Sequence, residues 1–249
     1  MFGSHTQRIV TGLILLAVVG IIGWIDNLFL MWLFFGAVYL LAFKEAMILY
    51  GLKKDALIFY AAALWIVAGV YPYGDDLFIL AGIAYAGAMA YNKELKWKNF
   101  LPFIYPTAGM LFIFTMYREY GVESLFWLLV VVALTDVGAY AVGKSIGKTK
   151  FCETSPNKTM EGVVGGIAVA TVGGMFLGIV TVDIFPAFLI SFATSIASVF
   201  GDLFESKLKR EAGVKDSGTL LPGHGGVLDR IDGYLFGAIV MLVLMRGLV

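Results

Sequence analysis

The stretch Ser124-Leu-Phe-Trp-Leu-Leu-Val-Val-Val-Ala-Leu-Thr-Asp136-Val-Gly-Ala-Tyr-Ala-Val142 decides the fold: nineteen residues with a single charge. About 20 apolar residues in a helix cross ~30 Å of hydrocarbon, and a helix satisfies its own backbone polar groups where water is absent. Working outward, similar runs recur over Ile9–Ile25, Leu28–Tyr50, Ala56–Tyr71, Leu77–Tyr91, Phe100–Tyr117, Gly162–Val182, Phe185–Leu203 and Ile231–Val249. The expectation is an all-α, polytopic integral membrane protein of about nine transmembrane helices. The third, fourth and last runs carry the weakest signals. Trp24, Trp32, Trp65, Trp97 and Trp127 fall mostly near predicted helix ends, as interfacial anchors do.

Composition agrees. Sixty per cent of the 249 residues are hydrophobic and 14% charged, against roughly 45–50% and about 25% in soluble domains. Net charge is zero, so no basic field points to nucleic acid. One cysteine, Cys152, excludes an intramolecular disulfide, and with only His5 and His224 a zinc site is not expected. The first apolar run follows a short polar head without a small-x-small exit, so it reads as a retained helix and not as a cleaved signal.

Placing the N-terminus in the cytoplasm puts sixteen of the eighteen Lys and Arg residues on the inner side, leaving only Arg118 and Arg246 outside. The inner set runs from Arg8 through Lys44, Lys53 and Lys54 to Arg230, and the partition depends on the nine-span count. Residues 1–125 then form amino-terminal membrane helices. Residues 126–249 form a catalytic membrane region with two long cytoplasmic loops, Gly143–Glu161 and Phe204–Arg230, within one integral membrane unit.

Acids crowd the borders of those loops: Asp136, Glu161, Asp202, Glu205, Asp229 and Asp232. Snorkelling carboxylates would look similar one at a time, but six at the ends of four helices favour a shared site. Asp202, Glu205 and Lys209 share a helical face, as do Asp229 and Asp232. An ion-paired helix end or acids at a helix start are the plain alternatives. Hard oxygen ligands near cations and glycines suit Mg²⁺ shared with a polyphosphate, with a second cation left open. The turn Gly223-His224-Gly225-Gly226 gives backbone able to approach a ligand. Lys144 and Lys158 sit among glycine or hydroxyl residues, a setting for phosphate oxygens, whereas Lys148 and Lys150 read as positive-inside charges. Metal, cations and glycine loops together indicate phosphoryl or nucleotidyl transfer.

The stretch SKLKREAGVKDSGTLLPGHGGVLDRID, Ser206 to Asp232, resembles the signature of the phosphatidate cytidylyltransferases. Asp136–Tyr140, Ser155–Gly162 and Gly201–Ser206 resemble further family blocks in the same order. The resemblance implies Mg²⁺-dependent transfer from CTP to phosphatidic acid, giving CDP-diacylglycerol and pyrophosphate, at the cytoplasmic face of a bacterial inner membrane. It also implies a homodimer. Asp202, Asp229 and Asp232 are then the expected metal ligands, with Asp136 and Glu205 as additional members. Lys209, Arg210, Lys215 and Arg230 would hold phosphates, while Ser155, Lys158, Asp216 and the Gly223–Gly226 turn would contact substrate. Many relatives carry a small hydroxyl residue where Val137 stands, which argues against a direct role for that side chain. Alternatives are a CTP-dependent enzyme acting on another lipid, such as a polyprenol kinase, and a secondary transporter. Transport is disfavoured because the acids gather at helix ends and no repeat is evident.

Overall fold

The computed structural model describes residues 4–53 and 56–248, and the side chains of Ser4, His5 and Arg8 are not among those described. Lys54 of the charge partition and Val249 of the last predicted span lie outside the described residues. The described residues form helices and no strands: α1 (Ser4–Ile25), α2 (Leu28–Leu49), α3 (Ala56–Val70), α4 (Asp76–Tyr91), the short α5 (Leu101–Ile104), α6 (Thr107–Ile146), α7 (Met160–Gly178), α8 (Ile184–Glu211) and α9 (Leu228–Leu248). Two isolated bridges, Lys150 to Thr159 and Leu221 to Gly225, pin loops.

Five helical stretches among the described residues are long and apolar enough to cross a membrane: Leu28–Leu49, Trp97–Ile146, Met160–Gly178, Ile184–Glu211 and Leu228–Leu248. Ile9–Ile25, Ala56–Val70 and Asp76–Tyr91 are apolar but shorter. All three weakly signalled runs therefore form helices, and the last is of spanning length. The 40 residues of α6 are enough for the fifth and sixth predicted spans as two helices in succession. Gly121 (φ 74°, ψ −173°) is non-helical and divides the segment into two helices at a kink, between the two predicted runs. Ser124 Oγ donates to the Gly121 carbonyl at 2.7 Å across the kink. The fifth run starts later than expected, at Thr107, because Pro102 and Pro106 interrupt the backbone donors before it.

Two helices overrun their predicted ends. α8 continues past Leu203 to Glu211 because Leu-Phe-Glu-Ser-Lys-Leu-Lys-Arg-Glu is good helical sequence. Its Glu205–Lys209 pair is four residues apart at 2.7 Å, and Lys209 and Arg210 favour the negative end of the dipole. Left-handed Gly213 (φ 73°) follows the helix end. α9 begins at Leu228 instead of Ile231. Glu205 and Asp229, within the bounds expected for the second loop, therefore stand on helices, while Asp216 stays in the connection between them.

The chain divides into two compact units. The first comprises residues 1–115 and 211–231, the second residues 116–210 and 232–249. In the first, α2 and α3 are locked by a reciprocal pair. Trp32 Nε1 donates to the Trp65 carbonyl at 3.1 Å, and Trp65 Nε1 to the Trp32 carbonyl at 3.0 Å. In the second unit, Trp127 Nε1 donates to Ser191 Oγ at 3.0 Å. Trp65 and Trp127 are buried, whereas Trp24 and Trp97 are exposed. The interfacial reading is thus corrected for Trp65 and Trp127: each indole N–H has a protein partner, and each ring fills space between helices.

The second unit relies on close helix approach. A Cβ at Gly166 of α7 would lie 2.5 Å from the Thr135 carbonyl oxygen and 2.8 Å from Ala139 N of α6. Lipid supplies no hydrophobic drive between helices, so backbone proximity and interhelical hydrogen bonds provide the adhesion. Thr135 Oγ1 and Ser195 Oγ, 2.7 Å apart, add one such bond between α6 and α8.

Candidate active site

Within the second unit, α6, α8 and α9 bring four predicted acids into one electrostatic neighbourhood. Asp232 is hydrogen-bonded to Glu205 and to the Gly233 amide, and feels the charges of Asp202 and Asp136. The approach depends on Gly201, where a Cβ would lie 2.5 Å from the Asp232 carbonyl oxygen. Two lysines enter the group. Lys158 forms an ion pair with Asp202, and Lys209 pairs with fully buried Glu205 at 2.7 Å.

Lys158 is delivered by a folded loop. The Phe151 amide donates to the Lys158 carbonyl at 2.9 Å, and the Lys158 amide donates to the Ser155 carbonyl at 3.1 Å. Thr159 caps α7 by accepting from the Gly162 amide. Glu161 turns back to accept from the Lys148 amide at 3.1 Å and from Thr149 Oγ1 at 2.9 Å. Glu161 therefore pins this loop, and Lys148 takes part through its backbone. Lys144 stands at the end of α6 with its ammonium 5.6 Å from the Tyr140 ring centroid. Val137 is 63% exposed.

The first unit holds the glycine-rich segment and the start of α9. Asp229 Oδ2 accepts from the Ser217 amide at 2.9 Å, Ser217 Oγ at 3.0 Å and the Gly226 amide at 2.8 Å. Gly223 and Gly225 adopt φ values of 76° and 83°, a region that favours glycine. They let the chain double back, with the Leu221 amide donating to the Gly225 carbonyl at 2.9 Å. His224 lies against α1, its Nε2 3.8 Å from where a Cβ on Gly12 would stand. Thr11 Oγ1 donates to the Pro222 carbonyl at 3.1 Å. Lys215, Asp216 and Arg230 are exposed on this segment, as Arg210 is at the end of α8 in the second unit. Several amides expected to cradle a ligand already have protein acceptors. Those of Val227 and Leu228 donate to Glu45, and that of Gly226 to Asp229.

Glu45 is the residue that sequence reasoning missed. It is 8% exposed on α2, beside exposed Lys44, and the pair near a helix end resembles ordinary interfacial trimming. The available signal was a carboxylate inside an apolar spanning helix.

The donor set around Asp232 is all oxygen and its electrostatic neighbours are acids, a chemistry that suits a hard divalent cation. Such a cluster needs positive charge, from protons, lysines or a metal. Among the described residues no three acids or histidines converge tightly enough to chelate an ion. Lysines stand beside Asp202 and Glu205 instead.

The chain is 42% identical over 245 residues to the phosphatidate cytidylyltransferase of Helicobacter pylori J99, covering 97% of this chain and 92% of that protein. It is 33% identical to the phosphatidate cytidylyltransferase of Thermotoga maritima over 84% of this chain and 85% of the relative. A Bacillus subtilis enzyme of the same name is 50% identical over 47% of this chain and 45% of its own length. Residues 6–248 match the model of the cytidylyltransferase family, and with relatives this similar along nearly its whole length the chain belongs to that family.

Proposed function

We propose that the protein transfers the cytidylyl group of CTP to phosphatidic acid, giving CDP-diacylglycerol and pyrophosphate. The observation that carries this is 42% identity to a phosphatidate cytidylyltransferase over 97% of the chain. A phosphate oxygen of the lipid attacks the α-phosphorus of CTP, a new P–O bond forms, and the bond to the β-phosphate breaks with pyrophosphate leaving. Asp202 and Asp232 would hold Mg²⁺, assisted by Asp136 and Glu205, while Asp229 is proposed as a further catalytic acid. The ion would neutralise charge on the nucleotide phosphates. Lys158 and Lys209 already lie beside carboxylates and are placed to exchange those partners for phosphate oxygens. Arg210, Lys215 and Arg230 are exposed cations suited to the outer phosphates of CTP and to the lipid headgroup.

The reading extends to topology: nine spans, a cytoplasmic N-terminus, the acids at the cytoplasmic side of a bacterial inner membrane, and a homodimer. It is supported by the charge partition and by the chemistry of the residues around Asp232. The test is incubation of purified full-length protein with labelled CTP, phosphatidic acid and Mg²⁺ in micelles. CDP-lipid and pyrophosphate in equal amounts are expected. CDP with a newly phosphorylated lipid would overturn the assignment in favour of a lipid kinase.

A further inference from the structure

We infer that Glu45 is a positioning residue for the cytidylyl-transfer site, a buried latch that holds the segment from Ser217 to Leu228 in one conformation and thereby fixes Asp229. Resting on the function proposed above, the inference adds a residue from the amino-terminal half of the chain to the machinery.

Its carboxylate spans two places on that segment. Oε2 accepts from Ser217 Oγ at 2.9 Å and from the Leu228 amide at 2.8 Å, while Oε1 accepts from the Val227 amide at 3.0 Å. These partners are 172 to 183 residues away in sequence, so the tie is wholly tertiary. The chain is shaped to admit the group. A Cβ on Gly218 would lie 2.5 Å from Glu45 Oε1, and one on Gly226 would collide with both the Glu45 carboxylate and Ser217 Oγ. Two glycines that read in sequence as ligand-cradling thus make room for an internal anion.

Position adds to the argument. Val227 and Leu228 open α9, where unpaired amides and the positive end of the helix dipole favour a negative charge. Glu45 supplies that charge from α2. Ser217 Oγ stands between two carboxylates, 2.9 Å from Glu45 and 3.0 Å from Asp229. It has one proton to donate, which couples the acids. Burying a carboxylate is a poor route to stability when apolar packing would serve, whereas fully bonded buried networks select a single conformation. The conformation selected here is the one in which Asp229 Oδ2 is held by Ser217 and Gly226.

The test uses full-length protein in lipid nanodiscs with Glu45→Gln and Ser217→Ala. Glutamine keeps the size but turns an NH₂ toward an amide donor, leaving one α9 amide unanswered. Serine removal keeps the α9 bonds and cuts the bridge to Asp229. Amide hydrogen exchange should accelerate by at least about ten-fold across 217–228 in Glu45→Gln, with peptides over the Trp32–Trp65 lock unchanged. Turnover per folded molecule should fall on the order of 100-fold in kcat, with a smaller change in the KM for CTP, and Ser217→Ala should lose less. Loop exchange and kcat both within about two-fold of the parent would overturn the inference. So would faster exchange throughout α2 and α3 with kcat per folded molecule unchanged, the pattern of a merely structural acid. If Glu45→Gln does not fold, Ser217→Ala decides by the same readouts. A parent protein that forms no CDP-lipid would defeat the proposed function and with it the catalytic part of this inference, while the exchange arm would still judge the latch.

Discussion

Replacing Gly201 with alanine isolates the closeness of α8 and α9 from the chemistry of the acids they carry. The added Cβ would sit 2.5 Å from the Asp232 carbonyl oxygen and 3.2 Å from Phe236 Cβ. The first neighbour is backbone and cannot swing aside. Relief needs the helices to part locally by roughly 0.9 Å, the gap between 2.5 Å and the 3.4 Å at which ordinary contact begins. Overpacking of this kind costs about 1–3 kcal/mol of stability. The effect on rate should be larger, because Gly201 adjoins Asp202 and its obstacle is Asp232 itself. A shift near 1 Å at a reacting centre can cost on the order of 100-fold in turnover. Gly247→Ala is the control: it makes the same change near the other end of α9, where no atom lies within 4 Å of the new Cβ. Both variants would be purified full length, checked by thermal unfolding, and assayed for CDP-lipid formation per folded molecule. Gly247→Ala should match the parent. If Gly201→Ala also retained kcat within about three-fold, the acids around Asp232 would not need the spacing seen here and the reasoning would fail.

Asp202→Asn and Asp232→Asn should each lower turnover by at least about 1000-fold in folded protein, and near-parental rates in both would remove the acids from catalysis. Lys148→Ala and Lys150→Ala should stay within about two-fold, since Lys148 contributes its backbone amide to Glu161; a severe loss in initial rate would show these side chains reach substrate. Chelation of divalent ions should abolish CDP-lipid formation and added Mg²⁺ should restore it, whereas full activity in excess chelator would refute the metal assignment. Gly166→Ala should lower stability by about 3 kcal/mol or more, because two backbone atoms lie within 2.8 Å of the new Cβ. An unchanged unfolding midpoint would contradict the α6–α7 packing.

Hydropathy and spacing made much of this protein legible. A long apolar run has to be helical if its backbone is to be satisfied in lipid, so even the weakly signalled runs at Ala56, Leu77 and Ile231 emerged as helices. The helical face shared by Asp202, Glu205 and Lys209 was legible for a local reason: residues three and four apart meet on any helix, and the Glu205–Lys209 pair forms as that rule requires. The end of α8 was misjudged because charge suggested a loop, whereas Glu205 to Arg210 supports a helix beyond the apolar run.

Tertiary structure decided which polar groups find one another. Lys158 meets Asp202 across 44 residues of sequence, and Glu45 meets Leu228 across 183. Neither separation has a period that could reveal it. Trp65 and Trp127 looked like anchors because hydropathy reports depth along a helix and not the direction a ring faces. Spacing put Asp229 and Asp232 on a shared face but could not report their partners, Ser217 and Gly226 for Asp229 and Glu205 and the Gly233 amide for Asp232. The sequence alone determined how many residues could be lodged in lipid and what chemistry stood at their ends. Partner choice waited on the fold, because a buried carboxylate takes whichever donors packing brings within 3 Å.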